Sequence, residues 1–244
     1  MNRRDFLAAA SATLVHSQLS FASTEPEEVD VELILAVDIS RSIDEDEMNR
    51  QFDGYAAAFR DPALIERISG SPLGQIACMM FVWSDWSIQL KVADWRKIHD
   101  AASAEAFALD IDRFRKQSYL YTSISAAMDY AGHEFGTKFS GTRQVLDISG
   151  DGTNNSGRPL EDARRDALGK GIVINGLAVL DNVPSPLGSS PEPLDEYYKE
   201  KVIGGPGAFL VVAEGFEDFG QAVKRKIIRE IASVPQPGPL VEYV

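Results

Sequence analysis

The apolar positions of the chain fall into two rhythms. In the first they follow one another or alternate over short runs: VDVELILAV (29–37), QIACMMFVW (75–83), SIQLKV (87–92), RQVLDIS (143–149), IVINGLAV (172–179) and AFLVVA (208–213). Such runs predict strands, and those apolar on consecutive positions predict strands covered on both faces. In the second rhythm apolar residues return every three or four positions. Residues 44–60 align Met48, Phe52, Tyr55, Ala56 and Phe59, and residues 103–115 align Phe107, Ile111 and Phe114. Residues 123–136 align Ile124, Ala127, Met128, Ala131 and Phe135, and residues 215–232 align Phe216, Phe219, Val223, Ile227 and Ile231. With 159–170, these predict helices that each bury one face.

The two rhythms alternate along the chain. That order predicts an α/β fold, a Rossmann-like three-layer α/β/α arrangement with a mostly parallel central sheet. The runs 75–83 and 87–92 lie too close for a parallel crossover, so they predict an antiparallel edge hairpin. DNVPSPLGSSPEPL (181–194) reads as a proline-rich surface loop, and the tail from Pro235 as loosely held. GGPGAF (204–209) lacks the strand–glycine–helix setting of a dinucleotide site and reads as a turn.

The first residues have a different logic. Arg3 and Arg4 precede a weakly apolar stretch, which closes on Ser20-Phe21-Ala22. This is the charged, apolar, small-residue order of an export signal cut after Ala22, and the paired arginines resemble the twin-arginine variety. Residues 1–22 are too polar to span a membrane. Without them 22 basic and 36 acidic residues remain, a net charge of −14. That balance argues against nucleic acid and anionic membrane surfaces as partners. Cys78 is the sole cysteine, and only His99 and His133 lie beyond the signal. A zinc site built on several His or Cys ligands is thereby nearly excluded.

Candidate chemistry gathers where apolar runs end. The first run gives way to Asp38-Ile39-Ser40-Arg41-Ser42. Extended chain points alternate residues to one side, so Asp38, Ser40 and Ser42 share a direction. The fourth run leads into Asp151 between Gly150 and Gly152, and Thr122 stands at the entrance of the helix 123–136. Each piece also has a local reading: Asp38 and Ser40 as turn formers, Ser42 and Thr122 as helix caps. Together they are two carboxylates and three hydroxyls, all oxygen, which is the ligand set hard cations prefer.

Asp38-x-Ser40-x-Ser42, then Thr122, then Asp151-Gly152, resembles the metal-ion-dependent adhesion site (MIDAS) of von Willebrand factor type A (VWA) domains. The resemblance covers about residues 30–232. TSIS, DISGDGTNN, INGLAVL and EYYKEKVIGGPGAF are similar to an uncharacterised group of exported bacterial VWA-like proteins. One departure is Tyr121, where many VWA domains carry glycine before the threonine. The resemblance implies that Ser40, Ser42 and Thr122 bind Mg²⁺ or Mn²⁺ by their hydroxyls, with Asp38 and Asp151 acting directly or through water.

Two functions fit such a site. One is a binding domain in which a partner protein presents Asp or Glu to the ion's open position. The alternative is a metal hydrolase, for which the chain offers no evident base: His133 lies eleven residues beyond Thr122, and His99 is remote in sequence. The binding domain is the preferred reading, with no catalytic residue assigned. The expected organisation is a signal peptide (1–22), a short linker (23–29), the VWA-like domain (30–232) and a C-terminal tail (233–244). The expected location is periplasmic or secreted. Trp83, Trp86, Trp95 and Cys78 are expected in core or edge packing. Asn154 and Asn155 are expected to stabilise the loop after Asp151, and Tyr119 and Tyr121 to form an aromatic rim near Thr122.

Overall fold

The first strand sets the architecture. In the computed structural model, β1 (Glu27–Asp38) is buried on both faces from residue 29 to its end. It lies between two parallel neighbours, β2 (Ile76–Trp83) and β4 (Phe139–Gly150). β3 (Gln89–Ile98) pairs antiparallel to β2 and forms the edge. On the other side follow β5 (Val173–Val179), β6 (Phe209–Ala213) and β7 (Leu240–Tyr243), so the seven strands run in the order β3-β2-β1-β4-β5-β6-β7. The structure describes residues 25–40, 45–114, 119–180, 192–215, 219–232 and 240–244.

The consecutive apolar positions are explained by two covering layers. Val31, Leu33, Leu35 and Val37 of β1 point into one cluster. There they meet α1 (Glu45–Phe59), α3 (Ala101–Arg113) and α7 (Phe219–Ala232) through Phe52, Tyr55, Phe107, Val223 and Ile227. Ile34 and Ala36 point into the other cluster, with Ile124 and Met128 of α4 (Ile124–Glu134) and Ala163 of α5 (Leu160–Gly169). This is the mostly parallel α/β/α sandwich with one antiparallel edge that the sequence pattern predicts.

Three elements escape that pattern. α2 (Pro62–Ser69) is capped by Asp61, whose side chain accepts from Ala63 N at 2.9 Å, and its proline occupies the first turn where no N–H is needed. The proline-rich stretch ends in a short helix, α6 (Leu194–Tyr197), which continues as a π-helical turn, Tyr198–Val202; residues 181–191 lie outside the described residues. The tail, expected to be loosely held, supplies β7 beside β6, and Tyr243 donates to Asp195 Oδ2 at 2.7 Å. Val241 and Tyr243 supply β-prone side chains to this edge strand. Among the described residues, no helix is long and apolar enough to cross a membrane.

The buried stripe of α7 is not wholly apolar. Phe219, Ala222, Val223, Ile227 and Ile231 share it with Lys226 and Glu230, each only 1% exposed. Lys226 forms ion pairs with Asp147 of β4 and, at 3.2 Å, with Glu230. Asn175 of β5 donates to Glu230 Oε1 at 3.2 Å and accepts from Phe209 N at 3.1 Å. One lysine cannot neutralise two carboxylates. Burial, outweighing the pull of Lys226, pushes Glu230 up to about 7, so one proton completes the balance near neutrality.

A carboxyl whose folded pKa is raised stabilises the fold below its unfolded value. That contribution fades as pH climbs through the folded one, here between the ordinary 4.5 and about 7. Urea unfolding in EDTA at pH 5 and pH 8 should therefore show the wild type losing more stability than Glu230→Gln. The expected difference is on the order of 3 kcal/mol. Equal losses in the two proteins would rule out Glu230 as the titrating group.

Candidate metal centre

The chain leaves β1 for β2 and β3 on one side of the sheet, then returns to place β4 on the other. The carboxyl ends of β1 and β4 thus flank the point where the strand order reverses, which is where open α/β sheets form their sites. Asp38 is the last residue of β1, and Asp151 directly follows β4.

Asp38 is fully buried. Its Oδ1 accepts from Ser40 N at 2.7 Å, the local turn role, while its Oδ2 has no hydrogen-bond partner. Burial, and then the neighbouring Asp151 carboxylate, push the Asp38 carboxyl well above the usual carboxylate range, against the opposing bonds from Ser40. Two carboxylates held this close, one of them dry, call for a cation.

The hydroxyls arrive on segments tied to these strand ends. Tyr119 N donates to Ile39 O at 3.1 Å, and Tyr119 bridges Ser40, so the chain before Thr122 runs alongside the end of β1. Ser40 is 2% and Thr122 5% exposed. The cap of α4 is Ser123, whose Oγ accepts from Ala126 N at 3.4 Å, so the hydroxyl of Thr122 is not spent on capping. Asn155 clamps Thr122 twice: its Oδ1 accepts from Thr122 N and its N donates to Thr122 O, both at 2.9 Å. Asn154 Oδ1 accepts from Ser125 N at 2.9 Å. The two asparagines stabilise the loop after Asp151, as expected, and also fasten it to the entrance of α4. A Cβ on Gly152 would stand 3.4 Å from Thr122 Oγ1, an ordinary contact distance, which places the loop after Asp151 directly against the threonine.

Four of the five candidate residues, Asp38, Ser40, Thr122 and Asp151, are therefore gathered at one end of the sheet. Ser42, with Arg41, lies outside the described residues. Among the described residues no three His, Cys, Asp or Glu side chains converge, so an ion here depends on hydroxyl oxygens as well as carboxylates. The donor set fits a hard divalent cation. His133 approaches Asp129 O on the exposed side of α4, and His99 pairs with Asp100 at 3.6 Å; neither is bonded to the site residues.

The surroundings hold two corrections and one omission. Trp83 and Trp95 are core residues as expected, but Trp86 is 65% exposed, at the tip of the β2–β3 hairpin. The tip is fastened to the loop beyond Asp151 by Ser156, which donates to Asp85 Oδ1 at 3.1 Å. Leu120 and Tyr121 are exposed just before Thr122, while Tyr119 is partly buried and Trp86 stands against Gly157, a Cβ on which would lie 3.6 Å from it. Arg158, which follows the second metal loop, is held by Asp129 and Asp166. The omission is Tyr198, fully buried, whose phenol is pushed upward by burial and then by the negative charges of Asp38 and Asp151. Nothing in the local sequence distinguishes it from a core tyrosine.

A family model described as "Protein of unknown function (DUF1194)" matches residues 28–235. No curated protein matches the chain in sequence. Among solved structures, proximal thread matrix protein 1 of the mussel byssus is 15% identical, with a TM-score of 0.61 over 86% of this chain and 48% of that one. In another form of that protein, the structure is described as having a zinc-occupied MIDAS motif. A von Willebrand factor type A protein from Catenulispora acidiphila is 13% identical, with a TM-score of 0.54 over 84% of this chain and 43% of that one. The pilus adhesin SpaC of Lactobacillus rhamnosus GG is 12% identical, with a TM-score of 0.59 over 86% of this chain and 31% of that one. The chain spans less than half the length of each of these proteins. At these identities the likeness is one of fold, and the fold is VWA-like.

Metal-free protein should carry a measurable penalty at this site. Because the folded pKa of Asp38 is raised, its contribution to stability is lost as pH rises from the ordinary carboxylate value through the folded one. Asparagine keeps the acceptor for Ser40 N without the charge. In EDTA, Asp38→Asn should melt at or above wild type, with a gap that widens from pH 5 to pH 8. Each kcal/mol of relief should appear as about 2–4 °C. A variant that melts below wild type at pH 8 would show that Asp38 meets no unfavourable field.

Proposed function

The chain belongs to this family of unknown function, DUF1194, and from that premise we propose that it is an exported, metal-dependent protein-binding domain. The observation that carries the reading is the meeting of Asp38 and Asp151 at the switch point, with the hydroxyls of Ser40 and Thr122 beside them and a buried Asp38 oxygen left without a partner. Asp38, Ser40, Thr122 and Asp151, joined by Ser42, would hold Mg²⁺ or Mn²⁺. The zinc-occupied motif in a protein of the same fold supports a divalent ion at this place. When bound, the ion supplies a hard Lewis-acidic position.

Two carboxylates neutralise a divalent charge and the hydroxyls add none, so the position left to solvent suits an external carboxylate. The partner contributes an Asp or Glu. The net charge of the chain opposes such a partner only at long range, where salt screens it beyond about 8–10 Å. Coordination acts at bond distance. The exposed Leu120 and Tyr121, which directly precede Thr122, add apolar area beside the site, as interfaces favour.

Calorimetric titration should show one Mg²⁺ or Mn²⁺ bound by wild type and none by Asp38→Ala or Asp151→Ala, with the variants still folded in EDTA. Equal metal affinity in all three would refute the assignment. A partner retained in Mg²⁺ should be released by EDTA, tolerate moderate salt, and be lost when its acidic residues are neutralised. Retention in EDTA would move recognition to another surface.

Export through residues 1–22 is the second part of the proposal, placing the domain in the periplasm or outside the cell. Cleavage after Ala22 leaves Ser23 as the first residue. Fractionation of cells expressing Arg3→Lys/Arg4→Lys should show the protein retained inside. Undiminished export would remove the twin-arginine route, and a mature protein still beginning at Met1 would remove the signal.

A further inference from the structure

Three stretches of sequence far apart in the chain meet behind the metal centre. DISGDGTNN supplies Gly150, INGLAVL supplies Gly176, and EYYKEKVIGGPGAF supplies Tyr197 and Tyr198. Tyr198 opens the π-helical turn after α6, and its ring lies in the core between β5 and that turn. A Cβ on Gly176 would stand 3.2 Å from the ring and 2.9 Å from Ile203, so the bare glycine makes the space the ring fills. A Cβ on Gly150 would stand 2.8 Å from the Tyr198 hydroxyl and 2.9 Å from Asp38 Oδ2. The hydroxyl and the carboxylate oxygen therefore both crowd the space that a side chain at position 150 would need. Both are buried, neither has a hydrogen-bond partner within the protein, one is a donor and the other an acceptor. The adjoining Tyr197 serves the same end of the sheet, its hydroxyl accepting from Asn154 N at 3.1 Å.

We propose that Tyr198 is a positioning residue of the metal centre, its hydroxyl donating to Asp38 Oδ2 through one bridging water and so fixing the orientation in which that carboxylate serves the ion. This rests on the metal reading given above. Ser40 N already restrains Oδ1. A second donor on Oδ2 removes the remaining freedom of the group, which is what outer partners of metal-binding carboxylates do. Tyr198 suits the task because its ring is locked by packing and its hydroxyl reaches the site from a helix outside the metal loops. The alternative is a core tyrosine whose hydroxyl has no role at the site.

Tyr198→Phe keeps the ring and removes only the donor. The purified protein is titrated calorimetrically with Mn²⁺, melted in EDTA, and its Mn²⁺-loaded form examined by electron paramagnetic resonance. The expected result is Mn²⁺ affinity about 10–100-fold weaker than wild type, a changed Mn²⁺ spectrum, and an EDTA melt no lower than wild type. An unchanged affinity, or a loss that merely follows a lowered EDTA melt, overturns the proposal. Should Tyr198→Phe fail to fold, 3-fluorotyrosine at position 198 decides: it keeps the ring and the hydroxyl but makes that hydroxyl a stronger donor. A shifted Mn²⁺ affinity with an unchanged EDTA melt supports the proposal, and unaltered affinity overturns it. A wild type that takes up no Mn²⁺ overturns the metal reading and this inference with it, whereas a wild type that binds Mn²⁺ as well as Tyr198→Phe does overturns the inference alone.

Discussion

The confrontation of Asp38 and Asp151 is the constraint on which the end of the sheet depends. Asp38 has no solvent exposure, so water cannot soften the repulsion. Chain that has to bring these groups together is held there by bonds that do not involve them. Ser40 N restrains Asp38, the Tyr119 segment is hydrogen-bonded to Ile39, and Asn155 ties the loop of Asp151 to Thr122. The hairpin tip is fastened to that loop by Asp85 and Ser156. These bonds keep four segments in register while the carboxylates oppose them. Such an arrangement is preorganised for a cation, because the cost of assembling the ligands is met by the fold.

The same strand solves the opposite problem a short distance away. Asp147 of β4 is as deeply buried as Asp38, yet Lys226 meets it from within the protein, and Glu230 accommodates the surplus charge with a proton. Between them Ser149 accepts from Tyr55 at 3.2 Å. Asp147 within β4 is therefore neutralised internally, whereas Asp151, just past the last residue of β4, stands at the end of the sheet. The internal solution is closed to ligands by α7 and the aromatic residues of α1. At the sheet end Asp38 instead has Asp151, Ser40 and the bare Gly150 as neighbours, and the proposed ion would take the part that Lys226 plays inside.

Much of this was legible in the sequence, because periodicity reports burial. The six strand runs, with their antiparallel edge, and the helices other than α2 and α6 follow from it. The candidate ligands were legible because they interrupt that pattern at strand ends. What escaped was polar chemistry placed within the pattern. Lys226 and Glu230 occupy positions of the α7 stripe that read as ordinary surface charge until Asp147 is placed opposite them. Tyr198 satisfies the periodicity of a core residue with its ring, and its hydroxyl acquires meaning only when Gly150 and Gly176 bring three strands and a helix together. Trp86 was misread for the converse reason. Its apolar character suggests burial, but its place at a two-strand turn puts the side chain into solvent.

The glycines connect these observations. Gly150 and Gly152 bracket Asp151, and each faces a candidate ligand: Gly150 the carboxylate of Asp38, Gly152 the hydroxyl of Thr122. A side chain at Gly150 would collide with a buried carboxylate and a buried phenol that cannot retreat, since the Tyr198 ring is confined by Gly176, Ile203 and Leu210. Gly152 is the milder constraint, since a Cβ there would make only ordinary contact with Thr122. The candidate metal centre thus rests on residues that bind nothing as much as on its candidate oxygen ligands. The motif Asp-x-Ser-x-Ser states which atoms are available, whereas Gly150 and Tyr198 bear on how closely the proposed ligands can approach one another.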